Sequence, residues 1–326
     1  MNPTRLRTRL ALAFMLSAAC AGLAAQPAKI PDGPIRIIIP TTPGTTPDIM
    51  ARALAPKLGE RLNHPIVVEN KVGAGGGIGT DSVVRAAPNG STLLFSASSL
   101  TVGAALYPSL PYDPVRDLTP IAFVGWNRLV LVTHPNSGIK SIADLIAAAR
   151  KSPGRLNYAS PGVGTPNHLT AELFKVRTGI SMTHIPFAGS GPQVTAVLGG
   201  QVDMAPVTAN VAAPQVRTGK LVALATAGDK PSPMLPGTPS LSEVNVPGVN
   251  GDIWYGIFGP KGMRPELAAQ LNKEINEILR MDDVTASFKS QGFDIEPTSQ
   301  EEFRNLVARD AERWTSLIRT QGIKAD

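Results

Sequence analysis

One cysteine, four histidines and 5% aromatic residues are a thin supply of chemistry-bearing side chains for a 326-residue chain. The cysteine, Cys20, lies inside an N-terminal stretch built like an export signal. Removal of that stretch leaves no thiol, no disulfide and no cysteine-based metal site. His64, His134, His168 and His184 show neither HxxxH nor HExxH spacing. No GxSxG nucleophile turn occurs, and the acidic residues are scattered along helix faces. No GxxxxGK phosphate loop exists either. The glycine run at 73–79 invites a dinucleotide-binding reading but fails its spacing. The third glycine of GxGxxG would fall on Ile78 counted from Gly73, and on Ser82 counted from Gly77. Neither a cofactor nor a metal is therefore expected. Nothing after the signal runs 18 apolar residues, so no spanning helix is expected.

Glycine and proline are plentiful, at 31 and 30 residues, which implies many short turns between short elements. A hydrophobic content of 43% with 17% charge is that of a globular protein, and the length suits two domains. Residues 1–25 read as a secretory signal. Arg5, Arg7 and Arg9 form the basic region, residues 10–19 the apolar core, and Ala24-Ala25 a small-residue cleavage site. The expected location is the periplasm. A lipoprotein with Cys20 as its lipidated first residue fits less well, because Leu16 stands one place too far back. Removal of residues 1–25, which hold three arginines and no acid, takes the formal net charge from +6 to +3. So mild a balance gives no case for nucleic-acid binding.

The chain is organised around residues 36–54, RIIIPTTPGTTPDIMARAL. Ile35 and Ile37 to Ile39 predict a short buried strand, ended by Pro40, which cannot donate to a sheet. Thr41-Thr42-Pro43-Gly44 is a turn, and a helix starts at Thr45 or Thr46. Thr45 and Asp48 stand at capping-box spacing; alternatively Thr46 is the cap and Pro47 the first helical residue. In both cases the first helical turn has unpaired N–H groups and a partial positive charge, an anion-binding corner. Residues 156–173, LNYASPGVGTPNHLTAEL, repeat the pattern: an apolar run, Ser160, a glycine turn, then Thr165-Pro166-Asn167 opening a helix. Two such helix starts suit a ligand with anionic or polar ends held between two lobes.

Met50, Leu54, Leu58 and Leu62 continue the first helix, with a kink expected at Pro56. Strands are expected at 66–69, 92–95, within 121–135, and at 183–187, 201–207, 221–226 and 254–258. Ser96 and Ser98 follow one of these strands and are expected to face the same cleft. Helices are expected at 80–87, 141–150, 189–198 and 265–280. A last helix at about 300–319 should turn Phe303, Val307, Trp314 and Leu317 inward. Residues 228–250 read as loop. Strand–helix alternation of this kind predicts an α/β fold with mainly parallel sheets and flanking helices, and a ligand beyond the carboxyl ends of the strands.

From about residue 34 onward the chain resembles the Bug family, the periplasmic solute-binding receptors of tripartite tricarboxylate transporters. The stretches that carry the resemblance are RIIIPTTPGTTPDIMARALAPKL, VVENKVGAGGGIGTDSVVRAAPNGSTLLF, YPSLPYDPVRDLTPIAFVG, LNYASPGVGTPNHLTAELF, HIPFAGSGPQVTAVLGGQVD and GKLVALAT. The resemblance implies a two-lobed, type II Venus-flytrap fold, with residues 26–124 plus 256–326 as one lobe and 125–255 as the other. Crossing strands are expected near 123–133 and 251–258. It also implies a monomer that holds a small carboxylate between its lobes and docks on membrane permease subunits. The family's carboxylate grip, largely through backbone amides and ordered water, maps onto Thr41, Thr42, Gly44, Thr45, Thr46 and Asp48, and onto Gly162, Gly164, Thr165, Pro166, Asn167 and His168; Ser160, just before the second turn, is a further expected contact. Thr208 completes the set of expected contacts.

The chain departs from the family pattern PFxPGGxTD. Thr41 replaces the aromatic residue, Thr45 a glycine, and Pro47 the threonine before Asp48, which removes one amide donor. Pro166-Asn167 stands where Ser-Ser is usual, and Val207-Thr208 where Asp-Asn is usual. Asp48 is expected to anchor its loop, since a first-turn carboxylate complements the helix dipole but repels an anionic ligand. His168 is as suited to a packed, satisfied role as to ligand contact. The expected function is that of an exported receptor for a small organic acid. A sensor that signals to a membrane kinase would share the same pocket. A secreted hydrolase finds little support.

Overall fold

The computed structural model describes residues 30–107 and 110–324, so the export signal and Cys20 lie outside the described residues. Two sheets organise the chain. The first has six strands in the order β11-β4-β10-β3-β1-β2. Its strands are β1 (Ile35–Ile39), β2 (Ile66–Asn70), β3 (Thr92–Ala97), β4 (Leu118–Asn127), β10 (Ile253–Pro260) and β11 (Phe293–Asp294). The second has three strands in the order β8-β5-β9, namely β5 (Leu129–Thr133), β8 (Ala205–Thr208) and β9 (Val222–Thr226). A pair of strands, β6 (Asn157–Ser160) and β7 (Thr183–Pro186), lies beside it, joined by a bridge between Tyr158 and Met204.

The sheets are mixed rather than mainly parallel. β1 runs parallel to β2 and β3, and β6 to β7, as strand–helix–strand units require. β10 is antiparallel to β3 and β4, and β5 to β8 and β9. The cause is topological. β4 carries the chain out of the first sheet into β5, and β10 brings it back, so the two crossings run in opposite senses.

Helix α1 (Thr46–Leu62) continues through Pro56 as one helix. It buries Met50, Leu54 and Leu58 against Ile35, Ile37 and Ile39 of β1. Helix α8 (Pro265–Leu279) adds Leu267, Leu271, Ile275 and Ile278 to that core. On the second sheet, α4 (Ile142–Lys151) and α5 (Pro166–Thr178) enclose Leu129, Leu131, Leu145, Leu169 and Phe174. Helix α10 (Gln300–Gln321) serves both cores. Phe303 and Val307 join the first sheet's outer face, whereas Trp314 and Leu317 join the second core. Its 22 residues span about 33 Å, enough to straddle the junction. Five shorter α-helices complete the set among the described residues: α2 (Gly77–Val84), α3 (Ser99–Leu106), α6 (Ser190–Leu198) and α7 (Ala209–Arg217), and α9 (Asp282–Ser290) after α8.

The two crossings are tied together by charge. Arg128, between β4 and β5, is 8% exposed. It donates from Nη1 to Asp252 Oδ2 at 2.6 Å and from Nε to Asp294 Oδ2 at 2.7 Å. The Leu129 N–H adds a third bond to Asp252, at 3.1 Å. A buried guanidinium is tolerated because two carboxylates face it and the second oxygen of the buried Asp252 is bonded in turn by Leu129 N–H.

Candidate functional site

The corner between β1 and α1 is built by its own threonines. Thr45 is the N-cap residue, yet its side chain makes no cap hydrogen bond. The Thr45 hydroxyl instead donates to Thr42 O at 2.8 Å and lies 2.7 Å from the Thr41 hydroxyl. Pro47 sits in the first turn, where its missing N–H costs nothing. Gly44 takes a left-handed φ of +80°, which turns its N–H onto Asp48 Oδ2 at 2.9 Å. So Asp48 caps the loop glycine rather than Thr45, and the expected capping box does not form. The other carboxylate oxygen accepts from Arg52 Nε at 2.9 Å. Arg52 also donates to Asn70, whose side-chain nitrogen donates to Thr41 O.

Asp48 is 3% exposed. Burial alone would raise its carboxyl, but the Gly44 N–H, Asn70 and the Arg52 guanidinium outweigh it and hold the group below the usual carboxylate range. It therefore stays charged and is matched inside its own loop, the anchoring role expected for it.

The corner between β6 and α5 repeats this design almost atom for atom. Gly164, with φ +72°, points its N–H at His168 Nδ1, 3.0 Å away and four residues on, as Gly44 does to Asp48. The Thr165 hydroxyl donates to Gly162 O at 2.8 Å, as Thr45 does to Thr42. Unlike Thr45, Thr165 also caps its helix, accepting from the His168 N–H at 3.3 Å. Pro166 again stands in the first turn. Gly162, with φ +142°, donates to the Ser160 hydroxyl at 3.2 Å, and that hydroxyl donates back to Gly162 O at 3.0 Å. Leu106 at the end of α3 closes over the loop. A Cβ at Gly164 would lie 2.0 Å from Leu106 Cδ1, so only glycine fits.

His168 is packed, not open. Its ring stacks on His184 at 3.9 Å between centroids, and His184 in turn stacks on Tyr158 at 4.9 Å. His184 Nε2 lies 2.6 Å from the Ser160 hydroxyl. Burial first, then the neighbouring His184 and Lys175, push the His168 imidazole down to about 3. It is thus neutral, with Nδ1 accepting from Gly164 and the proton on Nε2, which faces Glu172 Oε1 at 4.0 Å. Glu172 is held by the Tyr158 hydroxyl and by Lys175 Nζ at 2.7 and 2.9 Å.

The remaining expected residues lie around these corners. Ser96, at the end of β3, shares a small pocket with Pro40, Thr41, Gly76, Thr80 and Tyr107. Ser98 is 2% exposed, and its hydroxyl has no hydrogen-bond partner among the described residues. Asn167 turns its side chain onto Pro206 O at 2.8 Å, towards β8 rather than into its own loop. Thr208 is the N-cap of α7 and makes no side-chain cap bond. Each corner's own hydrogen bonds stay on its own side. What the two can do chemically follows from the amides left over. The hydroxyls of Thr45 and Thr165 and the N–H groups of Gly44 and Gly164 are already used. The first-turn N–H groups of Thr46, Asp48 and Asn167 remain as donors at two positive helix ends. The cations nearest the two anchors are committed, Arg52 to Asp48 and Lys175 to Glu172.

Three contributors were not picked out from sequence. Tyr255, on β10, is buried at 4% exposure, and burial pushes its hydroxyl above the ordinary tyrosine range. His184 reaches Ser160 from a separate strand, and no local pattern announces that. The hold of Arg52 on Asp48 was legible as an i, i+4 pair.

Comparison with known proteins places this geometry. A family model described as the tripartite tricarboxylate transporter family receptor matches residues 50–323. The protein BugT of Bordetella pertussis is 38% identical over 321 residues, covering 97% of this chain and 98% of its own. The solved structure of Rpa4515 from R. palustris with adipate superposes with a TM-score of 0.75 at 28% identity, covering 91% of this chain and 99% of the other. MatC of Rhodopseudomonas palustris with bound malate gives 0.72 at 27% identity, over 88% of this chain and 99% of the other. The expected two-lobed binding-protein architecture is the fold these structures share with the chain.

Proposed function

Because the chain belongs to the receptor family of the tripartite tricarboxylate transporters, we propose that it captures a small organic acid between its two lobes and presents it to membrane permease subunits. The observation that carries the ligand class is the pair of matched helix starts. Gly44 and Gly164 each donate to a side chain four residues on, which leaves first-turn amides free at both corners. Two such ends converging on one carboxylate supply charge-assisted hydrogen bonds without any cationic side chain. That relatives of this fold carry adipate and malate supports the same class. We place the division of the lobes, expected at 124/125 and 255/256, at Arg128 and at Gly251–Asp252, where the chain passes between the sheets. Export through residues 1–25, a monomeric state and the lack of any catalytic turnover belong to the same proposal.

The test is a thermal-shift screen of the purified protein against mono-, di- and tricarboxylates and neutral aromatic compounds, repeated with Thr165→Val. Ligand at a hundredfold excess over its dissociation constant should stabilise the protein by about 2.7 kcal/mol. The variant, which loses the cap and the bond to Gly162, should lose most of that shift. Stabilisation by a neutral compound and by no carboxylate would refute the ligand class.

A further inference from the structure

We propose that the protein carries a second binding site, for a small zwitterion, in a cavity at the junction of its two sheets. The cavity measures about 440 Å³ and shares no lining residue with either corner. Both sheets wall it. Trp126 lies near the end of β4 and Glu296 just after β11, in the first sheet. Asp229 and Lys230 follow β9 in the second, and α10 lies across the junction with Arg309 facing the cavity.

Hydrogen bonds fix these walls. The Ala227 N–H donates to Leu129 O at 2.7 Å, and the Gly251 N–H donates to Ala227 O at 2.8 Å. A Cβ built on Gly228 would lie 2.4 Å from Asp252 Oδ2, so the turn that carries Asp229 lies directly on the Arg128–Asp252 pair. On the side of α10, the Asp310 carboxylate accepts from the Trp254 indole N–H at 2.9 Å and from the Thr101 hydroxyl at 2.6 Å.

The charges lining the cavity set the ligand class. Eight of its eleven lining residues are charged, four of each sign. Six of them pair off: Arg128 with Asp252 at 2.6 Å, Lys230 with Glu296 at 3.1 Å, and Arg313 with Asp310. Arg309 and Asp229 are left over. Among the described residues neither has an ion-pair partner, and they do not reach each other. Asp229 Oδ1 accepts from the Ser242 hydroxyl at 2.7 Å, which orients the carboxylate and leaves Oδ2 to a ligand. A simple anion would match Arg309, leave Asp229 unmatched and make the cavity net negative. A simple cation would do the reverse. A molecule with one carboxylate and one ammonium matches both and keeps the cavity neutral, and each end gains a charge-assisted hydrogen bond. Trp126 and Leu306 supply apolar wall for the short chain between the two charges.

The experiment is calorimetric titration of the purified protein with ω-amino acids from glycine to aminohexanoate, and with the carboxylates and alkylamines of matched length. Members of the amino-acid series should bind, and Arg309→Gln and Asp229→Asn should each weaken them about tenfold or more, the loss of one charge-assisted bond. Both side chains are exposed, so neither variant should shift the thermal unfolding temperature or the binding of carboxylates at the corners. Amino-acid binding that neither variant weakens would lie elsewhere and overturn the inference, as would the absence of any amino-acid binding. Arg309→Gln weakening an amino acid and its matched carboxylate equally, with Asp229→Asn without effect, would make this a plain anion site and overturn the zwitterion.

Discussion

Replacing His168 by asparagine should flatten the acid side of the protein's stability profile. His168 is 4% exposed and is held near 3, against an ordinary 6.5, by burial and by the charges of His184 and Lys175. Tyr158 and Glu172 are the other titratable groups packed on it. The folded imidazole therefore stays neutral as pH falls, while the unfolded chain takes up a proton near 6.5. The unfolded state binds more protons across that window, so stability is full above 6.5 and is lost progressively between 6.5 and 3. At pH 5 the unfolded imidazole is almost fully protonated and the folded one is not, which removes about 2 kcal/mol. For a chain of this size that is a fall of about 3 °C in Tm. Asparagine offers an oxygen to the Gly164 N–H and does not titrate. Urea unfolding of both proteins at pH 7.5 and 5.0 measures the difference, with other titrating groups cancelling between them. Equal losses in the two proteins would show that His168 is not kept neutral by its surroundings and that the role assigned to it at the second corner is wrong.

Two further outcomes follow from the same geometry. Asp48→Ala should cost about 1–3 kcal/mol, because the Gly44 N–H loses its acceptor and Arg52 its partner. Wild-type stability should also carry a component that is present above the ordinary carboxylate range and fades as pH falls through the lowered Asp48 value, and urea unfolding of the variant should lack it. Gly251→Ala places a methyl 2.1 Å from the Thr170 hydroxyl and should destabilise by about 1–3 kcal/mol. Thr170→Ala combined with it should recover much of that loss, and a double-mutant cycle showing simple additivity would disprove the contact.

Much of this was legible where local chemistry decides the outcome. Proline and glycine turns set the ends of β1 and β6, and leucines four apart set the buried face of α1. What stayed hidden was decided by contacts distant in sequence. Ser99–Leu106 is apolar on every side and has no amphipathic period, so α3 was missed until its packing against α10 and the second corner was seen. Helix α7 contains Pro214, a usual breaker, and is held on the face of the second sheet, where Ala209, Ala212 and Ala213 join the core of Val130 and Val132. A kink or irregular turn was expected at Pro56; the helix runs on through it, and residues on both sides of the proline pack on one core. Within the site, both helix starts were readable, but the partners of their threonines were not. A threonine before a helix has several acceptors within reach, and the turn's glycines choose among them.

The paired glycine anchors bear on how fast a solute is exchanged. Gly44 and Gly164 are already fastened to their own helices without any ligand, so neither loop has to order itself on encounter. On the proposed lobe division, capture then asks only for rotation about Arg128 and Gly251, a step that solutes with the same acid group share. Their association rates should therefore be nearly alike, and discrimination among them should be written in how long each one stays.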